Sequence, residues 1–368
     1  MKQIVKIAIE GGPCGGKDNI MPYLHDHFTE LGYAVFITPE AATHLINKGF
    51  VPNKTVTNER FQEMVFAQIL EFEAKAEAQA KKVKNKKVII FCNRGLMSGL
   101  GYTTRQHYAR LLKQFNGNIV KFRDARYVAI IHLRTAALGA EAFYTLKNNT
   151  ARMERPEEAR ALDARTLNGS IGHPHLRVIP NKPGGTWETK VAHAIKEICH
   201  ALGEPEPLEI ERKFLVEIPD WSMLPHFERV MIIQHYLLKN KDGIRPRIRA
   251  RGQNGSWLYT ETIKQKITEI TRTETERMIK KREYQQFIAT SLDPSHMPIH
   301  KERNCFVWEH QYFELDVFIT PRLQHALLEI ELTEEQQEVI LPPFLKILRE
   351  VTGEPEWKNS TLAKRKSA

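Results

Sequence analysis

From Leu208 onward, charged residues occupy every second position of one short segment after another. The sets are Glu209, Glu211 and Lys213; Arg245, Arg247, Arg249 and Arg251; Lys264 and Lys266; Glu274 and Glu276; Lys301 and Arg303; Glu314 and Asp316; Glu329 and Glu331. Side chains alternate across a strand, so each set shares one face. The positions between them are apolar, among them Ile210, Phe214, Ile248, Leu315, Val317, Ile330 and Leu332. Two architectures accept this pattern: a sandwich with its charged faces in water, or a sheet closed on itself with the charged faces lining a lumen. The alternation alone leaves both open. Side-chain chemistry favours the lumen, because bunched arginines and lysines suit a chain of phosphates, and paired carboxylates suit the hard divalent cations that bridge phosphates.

The chain before Gly203 has another texture. Apolar runs at 4–10, 35–37, 88–92, 127–133 and 176–179 read as buried strands, and helical patterns at 17–31, 58–84 and 187–202 alternate with them. Strands apolar on both faces, interleaved with helices, predict a parallel sheet covered on both sides. The segment Gly203-Glu-Pro-Glu-Pro207 separates the two textures, so the expected domains are 1–204 and 205–368. A length of 368 residues suits two cores. With 42% hydrophobic and 27% charged residues, disordered and fibrous classes are excluded.

The four cysteines, Cys14, Cys92, Cys199 and Cys305, are far apart, which suggests neither a disulfide framework nor a zinc knuckle. The apolar run at the N-terminus is broken by Lys6 and stopped by Glu10, and no window approaches the roughly 18 apolar residues of a membrane span. A cytoplasmic protein is expected. The net charge of +10 calls for an anionic partner: polyphosphate, a membrane surface or nucleic acid.

Gly11-Gly-Pro-Cys-Gly-Gly-Lys17 follows the first strand and opens a helix. Such a loop aims backbone N–H groups and a helix N-terminus at one anion. Gly12, Gly15 and Gly16 permit close approach, Lys17 would bridge the β- and γ-phosphates, and Arg94 lies at the end of the third strand. The usual hydroxyl after the lysine is replaced by Asp18, and Asn93 stands where a carboxylate supporting Mg²⁺ is common. Either Asp18 repels nucleotide and the site is degenerate, or Asp18 and Asn93 have exchanged roles. Glu40 is a candidate base for an acceptor hydroxyl, or a carboxylate favoured at a helix N-terminus. Arg152, Arg155, Arg160 and Arg165 include a candidate phosphate lid, although most fit a solvated helix with paired charges.

The motifs GGPCGGK, Pro39-Glu40, Arg94-Gly-Leu-Met97, Arg123-Asp-Ala-Arg-Tyr127, Gly139-Ala-Glu-Ala-Phe-Tyr144, Leu162-Asp163 and Gly172-His-Pro174 resemble the AAA-type P-loop domain of the TRPL translocation-defect proteins and their bacterial relatives, over nearly all of 1–202. That resemblance implies nucleotide binding. Family members usually read GGPCAGKT, with Asp-Arg-Gly and Met-Asp, so Asp18, Asn93 and Ser98 depart together, as does Pro22 early in the helix.

Glu209-x-Glu211-x-Lys213, Arg247-x-Arg249, Lys264, Arg277 after Glu274-x-Glu276, Arg303, Glu314-Leu-Asp316 and Glu329-Ile-Glu331 resemble, in order, the CYTH or triphosphate tunnel superfamily over about 208–352. The resemblance implies an eight-stranded antiparallel tunnel. Arg247, Arg249, Lys264 and Arg303, with Lys213, would grip a triphosphate. Glu209, Glu211, Glu329 and Glu331 would hold Mg²⁺ or Mn²⁺ with Asp316 nearby, and Glu211 and Glu331 are the carboxylates assigned to catalysis. The ligands expected are ATP, GTP or inorganic triphosphate. The competing reading is a non-catalytic sensor or trafficking adaptor for nucleotides and for anionic lipid headgroups such as phosphoinositides. Nucleic acid ranks last, for want of a recognition helix or an aromatic-interleaved basic patch.

Overall fold

A computed structural model describes residues 3–84, 87–144, 154–268 and 271–365; Arg152, Lys366 and the side chain of Lys266 lie outside the described residues. The chain forms two compact units, Met1–Ile198 and Cys199–Ala368.

In the first unit, β1 (Gln3–Gly11), α1 (Lys17–Glu30), β2 (Ala34–Thr38), α2 (Ala41–Asn47), α3 (Asn58–Lys82), β3 (Lys87–Asn93), α4 (Arg105–Gln114), β4 (Ala129–Leu133), α5 (Pro156–Ser170), β5 (Leu176–Ile179) and α6 (Trp187–Leu202) follow one another. The five strands are parallel in the order β2-β3-β1-β4-β5. Ile7, Ala8, Ile9 and the run Val88–Cys92 are fully buried, as expected of strands covered on both faces. Phe61, Val65, Phe66 and Ile69 of α3 pack with Tyr108, Leu111 and Leu112 of α4 in one apolar cluster. The carboxyl ends of β1, β2 and β3 deliver Gly11, Thr38 and Asn93 to one edge, where ligands bind in sheets of this kind. Pro22 lies inside α1, and the helix continues through it.

The second unit contains β6 (Leu208–Val216), β7 (Phe227–Tyr236), β8 (Arg247–Gln253), β9 (Ser256–Lys266), β10 (Thr271–Ile279), α7 (Lys281–Thr290), β11 (Ile299–Trp308), β12 (Gln311–Thr320), β13 (Ala326–Leu332) and β14 (Ile347–Glu350). The sheet runs β10-β9-β8-β7-β11-β12-β13-β6, and β10 pairs back onto β6, closing an eight-stranded antiparallel barrel. Asn254 and Gly255, with φ of 52° and 77°, form the two-residue turn between β8 and β9, which matches the twist of the strands it joins.

The closing seam is short: Thr271, Arg272 and Thr273 pair with Ile210, Glu209 and Leu208. Beyond it β14 takes over the same edge of β6, Val351 N–H donates to the Lys213 carbonyl at 2.8 Å, and Thr352 Oγ1 accepts from Lys213 N–H at 2.9 Å. Ile210, Phe214, Leu315, Leu328 and Ile330 pack outward beneath Phe344 and Leu345, and Ile248 and Ala250 pack against Tyr284 of α7. The apolar positions therefore face outward, and the alternate charged ones face the lumen. Arg245 departs from the expected inward row, and Arg277, the residue after Glu276, lies on the outer face of β10. Arg245 precedes β8 and pairs with Asp293 at 2.7 Å, and Arg277 is exposed, paired with Glu261 and with Glu283. Inward-facing Leu215, Tyr236, Phe318 and Leu327 form an apolar cluster with Ile299, Val351 and Ala363.

Candidate functional site

At the edge of the parallel sheet the loop after β1 turns on Gly16, whose φ of 90° is left-handed and whose missing Cβ leaves room for the Trp187 ring. Gly12 is equally constrained. A Cβ there would lie 2.5 Å from that of Asp163, and its N–H donates to Asp163 Oδ1 at 2.8 Å. The same oxygen is 3.0 Å from His132 Nε2, and Arg134 is 3.1 Å from Oδ2. Burial alone would raise the Asp163 pKa, but the His132 and Arg134 charges and the Gly12 N–H hold it down at about 2. Lys190 Nζ donates to the carbonyls of Gly15 at 3.2 Å and Arg134 at 2.7 Å, and burial lowers its pKa to about 8. A buried carboxylate and a buried lysine thus pin the loop from two sides.

Lys17 is buried and donates to the carbonyls of Gly11 and Gly12 at 3.0 and 3.1 Å. Asp18 is exposed, and its Oδ1 accepts from Asn93 Nδ2 at 2.7 Å. Ser98 is buried and turned back onto the Gly95 carbonyl at 2.9 Å. Arg94 adopts φ 79°, a conformation costly for a side-chain-bearing residue, and is held there by Glu40 Oε1 at 3.0 Å and the Tyr102 hydroxyl at 2.7 Å. Burial works against the ionised form of Glu40, and Arg94 and Lys17 outweigh it, bringing its pKa to about 2. The carboxylate is ionised at neutral pH, as a base must be, and its affinity for a proton is low. Among the proposed lid arginines, Arg155 pairs with Glu158, Arg160 donates to the Ala137 carbonyl at 2.8 Å, and Arg165 donates to the Gly101 carbonyl at 3.0 Å.

In the barrel, the alternating charges meet across the lumen. Lys264 holds Glu209 and is 2.9 Å from Glu274. Lys213 is 2.8 Å from Glu329. Arg272 of β10 donates to Glu211 of β6 beside the closing seam. Arg303 reaches Asp316 at 2.7 Å, Glu329 at 2.6 Å and also Glu314, and Lys301 shares Asp316. Arg247 is 3.2 Å from Glu274. Arg249 differs. Among the described residues it has no ion pair, and burial together with the Arg247 and Arg303 charges lowers its pKa.

Burial and the neighbouring Glu274 and Glu211 push the Glu209 carboxyl up to about 8 despite Lys264. Glu211, equally buried, is brought to about 2 by Lys213, Lys264 and Arg272. Glu331 lies directly opposite Glu211, and Glu329 directly opposite Glu314. Like charges so placed destabilise a sheet unless something positive stands between them. These oxygens are the donors a hard divalent cation takes. Among the described residues no three carboxylates or histidines converge on one point; Glu209, Glu211, Glu314 and Glu329 turn instead toward lysines and arginines, and Glu331 lies 3.7 Å from His200. A cleft opens beside the seam, lined by Glu211, Lys213, Arg272, Thr352 and Trp357.

Sequence reasoning left out Arg272, although it stands two residues before Glu274 in the same alternation, and gave no site role to Asp163, His132 and Lys190, which reach the loop only through the fold.

The family described as AAA domain matches residues 6–190. No curated protein sequence matches the chain. Among solved structures it is similar to the inorganic triphosphatase NE1496, at 30% identity over 44% of this chain and 97% of that one, with a TM-score of 0.30. It is also similar to HpAC1 from Hippeastrum, described as having a dominant triphosphatase activity, at 19% identity over 34% and 80% of the two chains, with a TM-score of 0.26. A third is NadR in complex with NAD and AMP-PNP, at 12% identity over 54% and 49%, with a TM-score of 0.38. No helix among the described residues is long and apolar enough to cross a membrane. Matched over half its length, with strand, glycine loop and helix in sequence, the chain belongs to the AAA domain family.

Proposed function

We propose that the barrel binds and hydrolyses a triphosphate with a divalent metal ion, and that the P-loop unit is a nucleotide-binding domain with a weakened catalytic site. One observation carries the first reading: a closed barrel turns its apolar positions outward and its lysines, arginines and carboxylates inward. Lys213, Arg247, Arg249, Lys264, Arg272 and Arg303 would bind the phosphoryl oxygens, orient the chain along the lumen and offset charge that develops on the equatorial oxygens. Glu209, Glu211, Glu329 and Glu331 would hold Mg²⁺ or Mn²⁺, which supplies charge neutralisation and an activated water. Asp316, fully buried against Lys301 and Arg303, fixes those two cations in place.

For the P-loop, the Asp18–Asn93 contact supports a role exchange that preserves one carboxylate near the phosphates, while the repulsion between Asp18 and a γ-phosphate supports weakened turnover. Phosphate release from inorganic triphosphate, ATP and GTP with Mg²⁺ or Mn²⁺ tests the barrel, with Glu211→Gln as the comparison. Release from the wild type, and loss of at least tenfold in the variant, is expected. Equal rates remove the claim, and tight binding without release makes the barrel a sensor.

A further inference from the structure

The lumen's charges are already spent on one another. Lys264 is committed to Glu209 and Glu274, Arg272 to Glu211, Lys213 to Glu329, and Arg303 to Asp316, Glu314 and Glu329. A bare triphosphate that took hold of Lys264, Arg272 and Lys213 would strand Glu211 beside an anion of its own sign and leave Glu274 to Arg247 and Glu329 to Arg303. A bare divalent cation meets the reverse obstacle, since the carboxylates it needs are held by ammonium and guanidinium groups. Arriving together, the two ligands conserve every pair: each lysine or arginine passes from carboxylate to phosphate, and each carboxylate from its cation to the metal. Arg249, the lumen cation without an ion pair among the described residues, is the group a phosphate can engage with no carboxylate displaced.

Resting on the reading of the barrel as a triphosphate site, we propose that its carboxylates act as internal counter-ions, so that the lumen admits the metal complex of a triphosphate and resists either component alone. Free phosphate, pyrophosphate and metal-free nucleotide are then poor competitors, although each carries groups the lumen could bind. The coupling is reciprocal, because the factor by which metal tightens triphosphate is the factor by which triphosphate tightens metal.

Metal and triphosphate also associate in solution, so the test uses each one alone, on the full chain carrying Lys17→Ala to silence the P-loop. Inorganic triphosphate in EDTA is titrated calorimetrically into the parent, Glu211→Gln and Glu261→Gln, the last removing a carboxylate on the outer wall. Mn²⁺ alone is titrated by electron paramagnetic resonance into the parent and Lys264→Met. Glu211→Gln, which removes a carboxylate held ionised by Lys213, Lys264 and Arg272, is expected to bind metal-free triphosphate about tenfold more tightly than the parent, with Glu261→Gln unchanged, and Lys264→Met to bind Mn²⁺ more tightly by a similar factor. Arg272→Met, which frees Glu211, serves in place of Lys264→Met if that variant loses its circular dichroism spectrum. Unchanged metal-free affinity in Glu211→Gln, or Mn²⁺ binding that weakens when a lumen cation is removed, overturns the counter-ion role. If the parent fails to bind triphosphate even with Mn²⁺, the triphosphate reading itself falls.

Discussion

Asn93 at the end of β3 donates from Nδ2 to Oδ1 of Asp18 in the first turn of α1, at 2.7 Å, so two of the three residues that depart together from the usual loop chemistry are in direct contact. Asp18 is exposed, which screens its charge. Asp18→Asn should tighten metal-free ATP by about fivefold, the ~1 kcal/mol expected of one screened like charge near a phosphate. Calorimetric titration with and without Mg²⁺ reads this directly. If Asp18 serves as a metal ligand, the same variant loses its Mg²⁺ dependence.

Glu40 sets a pH dependence. Its folded pKa of about 2 lies below the ordinary carboxylate value, so the Arg94 pairing contributes stability in full above pH 4.5 and loses it as pH falls from there toward 2. At most ~3 kcal/mol is involved, given 1.36 kcal/mol per unit. Denaturant unfolding from pH 6 to pH 2.5 should show a steeper acid loss in the wild type than in Glu40→Gln. Parallel curves would detach Glu40 from acid stability.

Asp316 neutralises two cations that are themselves buried. Asp316→Ala should destabilise the barrel unit by ~3–5 kcal/mol, the usual result of stranding buried charge. Asp316→Ala combined with Lys301→Met should recover part of that loss. Midpoints of chemical denaturation for the single and double variants decide the matter, and a double variant no better than the single one would mean that Lys301 is not the stranded charge.

Gly16 tests the loop's geometry. Gly16→Ala imposes a Cβ on a left-handed residue and drives it into the Trp187 ring, a cost of ~1–3 kcal/mol from the backbone alone. Nucleotide binding should fall with it. Adding Trp187→Ala should relieve the clash and leave the backbone strain, so recovery of binding is partial. Full binding by Gly16→Ala alone would mean that the loop relaxes freely.

The readable parts of the sequence were those written in short-range spacing. The glycine loop is seven adjacent residues between a strand and a helix, and the lumen rows Glu209-x-Glu211 and Arg247-x-Arg249 follow from the two-residue repeat of a strand. Arg245 fits that repeat on paper yet lies outside, because β8 begins only at Arg247, and Arg277, one residue after Glu276, falls on the outer face with Glu261 and Glu283. Contacts such as Gly12–Asp163, 151 residues apart, have no local signature. Which cation faces which carboxylate depends on strand register, and the short β10–β6 seam is what places Arg272 beside Glu211.

The stretch from Ile347 to Ala363 is stitched into the barrel by β14 on β6, by Val351 on the Lys213 carbonyl and by Ala363 in the inner apolar cluster. The last turns of the chain are therefore a clasp on the wall and not a trailing appendage. Cutting the polypeptide ahead of Ile347 would unfasten the strand that carries Glu211 and Lys213, and damage far from any phosphate would be felt as a loose grip on it.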